Sequence, residues 1–183
     1  DNPGVRLDMR QAHSGLLADM LAGGRVDVVF GPPDIAARVP AAQSLPLFES
    51  QMVILASRYH PLAGRGAVTL ADLDAARWAL HQPGTGIRQA ADLLLRRLGV
   101  SDRVQANALP SNMILSLLRM GDHLAVVPRY VLRNDSLAGE LVKIASGGAT
   151  ISLGRAAIWT GTTPAAVVAR FVTHMTAALA TLD

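Results

Sequence analysis

The sequence contains no cysteine. That excludes a disulfide framework, a thiolate-bound metal and a thiol nucleophile, and leaves the redox compartment open. Aromatic residues make up only 4% of the chain, which leaves few platforms for stacking single-stranded bases. No uninterrupted apolar run approaches the roughly 18 residues of a membrane span, so no transmembrane helix is expected. The opening Asp1-Asn2-Pro3-Gly4 lacks the basic and apolar regions of a secretory signal, and reads as an interior piece of a longer chain.

Signals for catalysis are equally sparse. The histidines His13, His60, His81, His123 and His174 show no HxxxH or HExxH spacing, so no metal site and no cofactor is expected. Ser14 is not set in a GxSxG elbow. Asp27 and Glu49 lie on or beside expected strands, where ion pairing or solvent exposure accounts for them. His174, on the last helix, is expected at the surface. An enzyme is not expected.

What is present is a chain of 183 residues with half its composition apolar, enough to bury one core or two small ones. The net charge of +3 and pI of about 10.2 come from scattered basic residues. Arg96-Arg97 is the only adjacent pair, and a solvated helix face explains it. There is no fixed-period repeat and no low-complexity segment.

The organising stretch is Leu45 to Gly64, LPLFESQMVILASRYHPLAG. Its apolar first part, Leu45 to Ser57, is long enough to leave one sheet and enter another, and its second part is turn chemistry. Before it, Val5 to Gln11 alternates apolar and polar like a half-buried strand, and Ser14 is placed to cap a helix burying Leu16, Leu17, Met20 and Leu21. That helix ends at Gly23-Gly24, and Asp27 to Phe30 reads as a strand. The three are expected to form a parallel pair with a helical crossover.

After the stretch, Thr69 to Asp72 resembles a capping box opening a short helix. Trp78 to His81 is a strand, and Ile87 to Leu98 a helix with Ile87, Ala91, Leu94, Leu95 and Leu98 on one face. Val104 to Ala108 is a strand, followed by a helix from the cap Ser111 that buries Ile114, Leu117 and Leu118. Leu124 to Val127 is a strand closed by Pro128, Leu141 to Ile144 a short edge element, and Leu153 to Thr160 a return strand. Thr163-Pro164 starts a last helix with the stripe Val168, Phe171, Val172, Met175, Leu179 and Leu182.

Binding chemistry concentrates at polar helix starts. Gln82-Pro83-Gly84-Thr85-Gly86 lies between a strand and a helix, where glycines admit a ligand to the backbone and first-turn amides favour a carboxylate or phosphate. It is neither a dinucleotide fingerprint nor a P-loop, and an ordinary strand-to-helix turn explains it as well. Ser111-Asn112 is a second such start in the same half, with capping as the competing explanation. His13-Ser14 is the counterpart in the first half, with a cap and an exposed His13 as the competing explanation.

With these segments in order, the chain resembles the effector-binding domain of LysR-type transcriptional regulators. PGVRL (Pro3 to Leu7) and LLADMLAGGRVDVVF (Leu16 to Phe30) are similar to its first lobe. YHPLAG (Tyr59 to Gly64), the Val68 to Leu73 segment, RMGDHLAVVP (Arg119 to Pro128) and GELVKI (Gly139 to Ile144) resemble later segments in register. Trp78, Leu80, Pro83, Gly84 and Thr85 resemble a branch that includes regulators of sugar uptake and of protocatechuate breakdown. Where many members have Gly-Leu-Gly, this chain has Gly121-Asp122-His123.

The resemblance implies an α/β fold of two Rossmann-like lobes joined by two crossover strands, like type 2 periplasmic binding proteins. The first lobe comprises residues 1–53 and 154–183, the second 54–153. A small polar or anionic effector, such as a carboxylate or a sugar-derived metabolite, is expected in the cleft. The loop ends at Gly31 and Pro128 complete a candidate set with His13, Ser14, Gln82, Gly84, Thr85, Gly86, Ser111 and Asn112. The resemblance further implies a cytoplasmic homodimer or homotetramer with no membrane partner. DNA is reached only through an amino-terminal winged helix-turn-helix that this chain lacks.

The family's first strand and helix are missing too, so a defect is expected between Val5–Met9 and Val26–Phe30. A transporter's solute-binding protein with the same fold is the rival reading. Three further expectations follow from the pattern: crossings near Ser50 to Ile54 and Leu153 to Ala157; the helix of Pro164 to Leu182 packed on the Val5 to Phe30 lobe; and loss of effector binding in Gly84→Asp.

Overall fold

A computed structural model of the chain describes residues 4–101, 104–108, 111–133, 139–145, 147–162 and 164–179. The chain runs α1 (Ser14–Ala22), β1 (Val29–Gly31), a 3-10 turn (Pro33–Arg38), β2 (Ala42–Ser57), α2 (Leu70–Ala75), β3 (Arg77–His81), α3 (Gly86–Leu98) and β4 (Val104–Ala108). It continues through α4 (Ser111–Arg119), β5 (His123–Pro128), a second 3-10 turn (Arg129–Arg133), β6 (Leu141–Ile144), β7 (Ser152–Thr160) and α5 (Ala166–Leu179).

The long strand β2 changes partners along its length. From Ala42 to Gln51 it is antiparallel to β7, and from Met52 to Ser57 it is antiparallel to β5 on one side and β6 on the other. Its burial changes at the same place: apart from Ser50, residues 42–51 are exposed or half-buried, while Met52 to Ser57 are all buried. A strand covered on both faces reads as a continuous apolar run, which is why MVILA is the most apolar segment of β2. The change from Gln51 to Met52 falls inside the expected first crossing. The return passage lies opposite, where the Met52 amide donates to the Ile151 carbonyl at 2.7 Å, ahead of the expected Leu153 to Ala157, which pairs within the first lobe.

The second lobe is a five-stranded sheet with helices on both faces. β3 runs parallel to β4 and β5. Period-2 alternation divides its side chains: Met52, Ile54, Trp78, Leu80, Leu124 and Val126 pack with Ala91, Leu94 and Leu95 of α3. Val53, Leu55, Ala79, Ala125 and Val127 face Ile114 and Leu118 of α4. Trp78 is fully buried and its indole N–H donates to the Leu73 carbonyl at 3.0 Å, which ties α2 to the sheet.

The first lobe is the short sheet β1-β7-β2. Ala18 and Leu21 of α1 and Ile35 of the 3-10 turn cover one face, against Val29, Ala156 and Ile158. α5 covers the other through Val168 and Val172 against Ala157, with Phe171 edge-on to Phe30 at 5.7 Å. The last helix therefore packs on the lobe that holds Val29 and Phe30, as expected.

Several local expectations fail here. No strand forms over residues 5–11, and Val5, Leu7 and Met9 are exposed. An alternating pattern becomes a strand only where a ladder partner exists. β1 is correspondingly an edge strand among the described residues and is antiparallel to β7, so the expected parallel strand–helix–strand pair is not present. Leu16 is exposed, and the helix buries Ala18 in its place. α5 begins at Ala166, not Pro164; Thr163 and Leu182 lie outside the described residues. Neither 3-10 turn was legible, because five or six residues carry too short a periodicity to distinguish from loop.

Candidate functional site

The parallel strands of the second lobe all deliver their carboxyl ends to one side, where ligands of open α/β sheets bind. β3 ends at His81 and α3 begins at Gly86; β4 ends at Ala108 and α4 begins at Ser111. From the first lobe, β1 ends at Gly31 and α1 begins at Ser14. These ends line a cleft of about 280 Å³ between the lobes, just below the roughly 300–1,000 Å³ seen for ligand sites. Ser14, Gly86 and Ser111, the first residues of three helices, all line it. Each helix start carries partial positive charge, so the site favours an anion before any side chain is counted.

Of the residues expected from sequence, His13, Ser14, Gly31, Thr85, Gly86 and Ser111 line this cavity. Gln82, Gly84, Asn112 and Pro128 do not. Gly84 stands at the tip of an exposed turn with φ +84° and nothing within 4 Å of an added Cβ. Its glycine serves the left-handed turn, so Gly84→Asp meets strain and solvent outside the cavity lining. Gln82 acts through its backbone: its carbonyl accepts from the Thr85 hydroxyl at 3.0 Å. Asn112 is exposed on α4, and Pro128 is buried opposite Met52.

The caps also differ in detail. His13, not Ser14, is the cap of α1, its Nδ1 accepting from the Leu16 amide at 3.3 Å. Thr85 caps α3 by accepting from the Arg88 amide at 3.2 Å.

His81 is 3% exposed. Its Nε2 lies 3.0 Å from the Ser111 hydroxyl, and its Nδ1 has no hydrogen-bond partner. Burial, with a smaller push from the Arg155 charge, lowers its pKa to about 4, so it is neutral at pH 7. The sequence reading missed the arginines. Arg155 on β7 donates to the Gly154 carbonyl at 3.1 Å and reaches the Tyr130 hydroxyl at 3.4 Å. Arg10 is held by Asp8 through contacts of 2.8 and 3.3 Å. Both arginines line the cavity, as do Tyr130, Leu17, Phe30, Pro32 and Ile87.

No sequence signal singled out Arg155, one arginine in a return strand. A bulge aligns it: Pro46 pairs with Ala156 and Phe48 with Arg155, leaving Leu47 as the extra residue. Tyr130 enters from the unrecognised 3-10 turn, its ring edge-on to Phe48 at 5.9 Å.

The other histidines serve the scaffold. His60 is buried, its Nδ1 accepting from the Leu62 amide at 3.1 Å, and His123 contacts Asp122. Among the described residues no cluster of acids and histidines is arranged to hold a metal, and no helix is long and apolar enough to cross a membrane.

Comparison with known proteins agrees with this geometry. The family model described as the LysR substrate binding domain matches residues 1–180. The regulator GalR of Pseudomonas putida is 33% identical over 149 residues, covering 78% of this chain and 36% of its own. The regulator CbbR of Cereibacter sphaeroides is 31% identical over 151 residues, covering 81% of this chain and 48% of its own. The chain thus spans between a third and a half of these relatives. In fold it is similar to the regulatory domain of CcmR from Synechocystis PCC6803 in complex with 2-PG, with TM-score 0.78, 20% identity, and coverage of 96% of this chain and 84% of that one. The cofactor-binding domain of the Cbl transcriptional regulator is similar too, with TM-score 0.78, 19% identity, and coverage of 93% and 74%.

Proposed function

The chain belongs to the LysR substrate-binding domain family, and from that premise we propose that the interlobe cavity receives a small polar or anionic effector that controls DNA binding and transcription. The chain is a ligand-sensing regulatory domain with a type 2 periplasmic-binding-protein-like fold, and not an enzyme. The observation that carries the cavity assignment is the convergence of three helix starts and Arg155 on one open cleft between lobes. We take those lobes as residues 1–53 with 154–183 and residues 54–153, with the strand pairing drawing the first boundary back to between Gln51 and Met52. A ligand touching both lobes stabilises one relative arrangement over others by its differential affinity, which is the thermodynamic requirement for a switch.

In the whole regulator, the DNA contact belongs to an amino-terminal winged helix-turn-helix outside this chain, and the working form is a cytoplasmic homodimer or homotetramer. A transport solute-binding protein is the weaker reading, since the curated relatives named above are transcriptional regulators. A backbone-amide NMR titration of the chain against a metabolite library tests the assignment. Shifts at Ser14, Gly31, Thr85, Gly86 and Ser111 support it. Binding that perturbs only α5 or the outer faces of α3 and α4 overturns it.

A further inference from the structure

We propose that the effector is a small monocarboxylate with an apolar body, and that Arg155 selects its single negative charge. The inference rests on the cavity being the effector site. Its first ground is a count of charges. The ionisable side chains lining the cavity are Arg10, Arg155, His13, His81 and Tyr130, with no carboxylate among the described residues. Asp8 balances Arg10 at 2.8 Å. No described carboxylate pairs with Arg155, whose contacts are the neutral Gly154 carbonyl and Tyr130 hydroxyl.

His81 is buried and neutral, so it adds no charge at pH 7. One uncompensated guanidinium therefore faces the cavity. A guanidinium presents two parallel N–H donors that match a carboxylate. A dicarboxylate, or a phosphate monoester carrying about −1.5 to −2 charges, would set its second charge against the helix starts alone, with no second free side-chain cation to pair it.

The second ground is the remaining wall. Leu17, Phe30, Pro32 and Ile87 contribute apolar surface, which a polyol or inorganic anion would leave wet or empty. The third is polar capacity beyond the charge. The Ser111 hydroxyl against His81, and the Tyr130 hydroxyl beside Arg155, can each exchange a hydrogen bond with a ligand. A hydroxyl on the apolar body fits this set.

The test is calorimetry on the 183-residue chain with benzoate, 3-methylbutanoate, their primary amides, phthalate and inorganic phosphate as probes, with amide NMR locating each response. The acids are expected to bind at the cavity at least about tenfold tighter than their amides, phthalate or phosphate. Arg155→Gln is expected to weaken acid binding by about tenfold or more and amide binding distinctly less, and Arg155→Lys to recover part of the loss of acid affinity. Tyr130→Phe, which keeps the ring packing on Phe48, should weaken the acids several-fold and serves if Arg155→Gln does not fold.

Acid affinity unchanged in Arg155→Gln or in Tyr130→Phe, equal or tighter binding of amide or phthalate, or no response to either acid overturns the proposal. A cavity response to amides or phosphate without the acids removes the monocarboxylate inference and leaves the effector site standing. Acid binding that shifts only residues outside the cavity removes both.

Discussion

His81 illustrates how one side chain links stability to the site. Its folded pKa of about 4 lies below the ordinary 6.5, so the unfolded chain takes up a proton before the folded chain does as pH falls. Stability from this group is complete above about pH 6.5 and is lost as pH drops towards 4, by roughly 3 kcal/mol. His60, lowered mainly by burial, acts in the same direction. Urea midpoints measured from pH 7 to pH 4 should fall accordingly, and His81→Phe should reduce that slope. An unaltered slope would remove His81 from the account. Gly31 is constrained differently: an added Cβ would sit 2.7 Å from the Cδ1 of fully buried Ile35. Gly31→Ala is expected to cost about 1–3 kcal/mol by overpacking, read as a lower urea midpoint at unchanged slope.

At the scale of the element, the helices are specified mostly at their ends. α2 has only six residues and depends on a reciprocal cap: the Asp72 amide donates to the Thr69 hydroxyl oxygen at 3.2 Å, and the Thr69 amide donates to the Asp72 carboxylate at 2.9 Å. The same Thr69 contacts hold the Asp72 carboxyl below the usual range. Thr69→Ala removes the side-chain half of that box and should cost about 1 kcal/mol, measured by chemical denaturation. Because α2 lies away from the cavity lining, ligand affinity should not change. The strand β2 is the contrasting element: its pairing, not its caps, determines what it does. With β7 it belongs to one lobe, and with β5 and β6 to the other.

The whole molecule depends on how closely the lobes approach. Pro32, after β1, lies 3.4 Å from the Cβ position of Gly86 at the start of α3. Gly86 has no left-handed backbone to preserve, so a side chain there tests the approach together with the stretch of cavity wall that Gly86 lines. Gly86→Val should leave unfolding free energy within about 1 kcal/mol and weaken effector binding by about tenfold, because its branches wedge against Pro32 at the cavity edge. Equal affinity in wild type and variant would show that the lobes need not meet there for binding.

Composition and periodicity alone determined the class, the second-lobe elements and the continuous apolar run MVILA, because these depend on local pattern and on whether a segment is covered on both faces. They located the helix starts at His13-Ser14, Thr85-Gly86 and Ser111, since capping chemistry is written within three or four residues. The order of segments also carried the family resemblance.

Tertiary structure decided the rest. Val5 to Gln11 has strand alternation without a ladder partner, and so stays exposed. Gly84 and Gly86 look equivalent in sequence, yet one meets solvent at a positive φ and the other meets Pro32 across the cleft. Arg155 and Tyr130 are separated by 25 residues and belong to no motif. A strand bulge and a short 3-10 turn bring them to one cavity, and no local pattern encodes a meeting between residues so far apart.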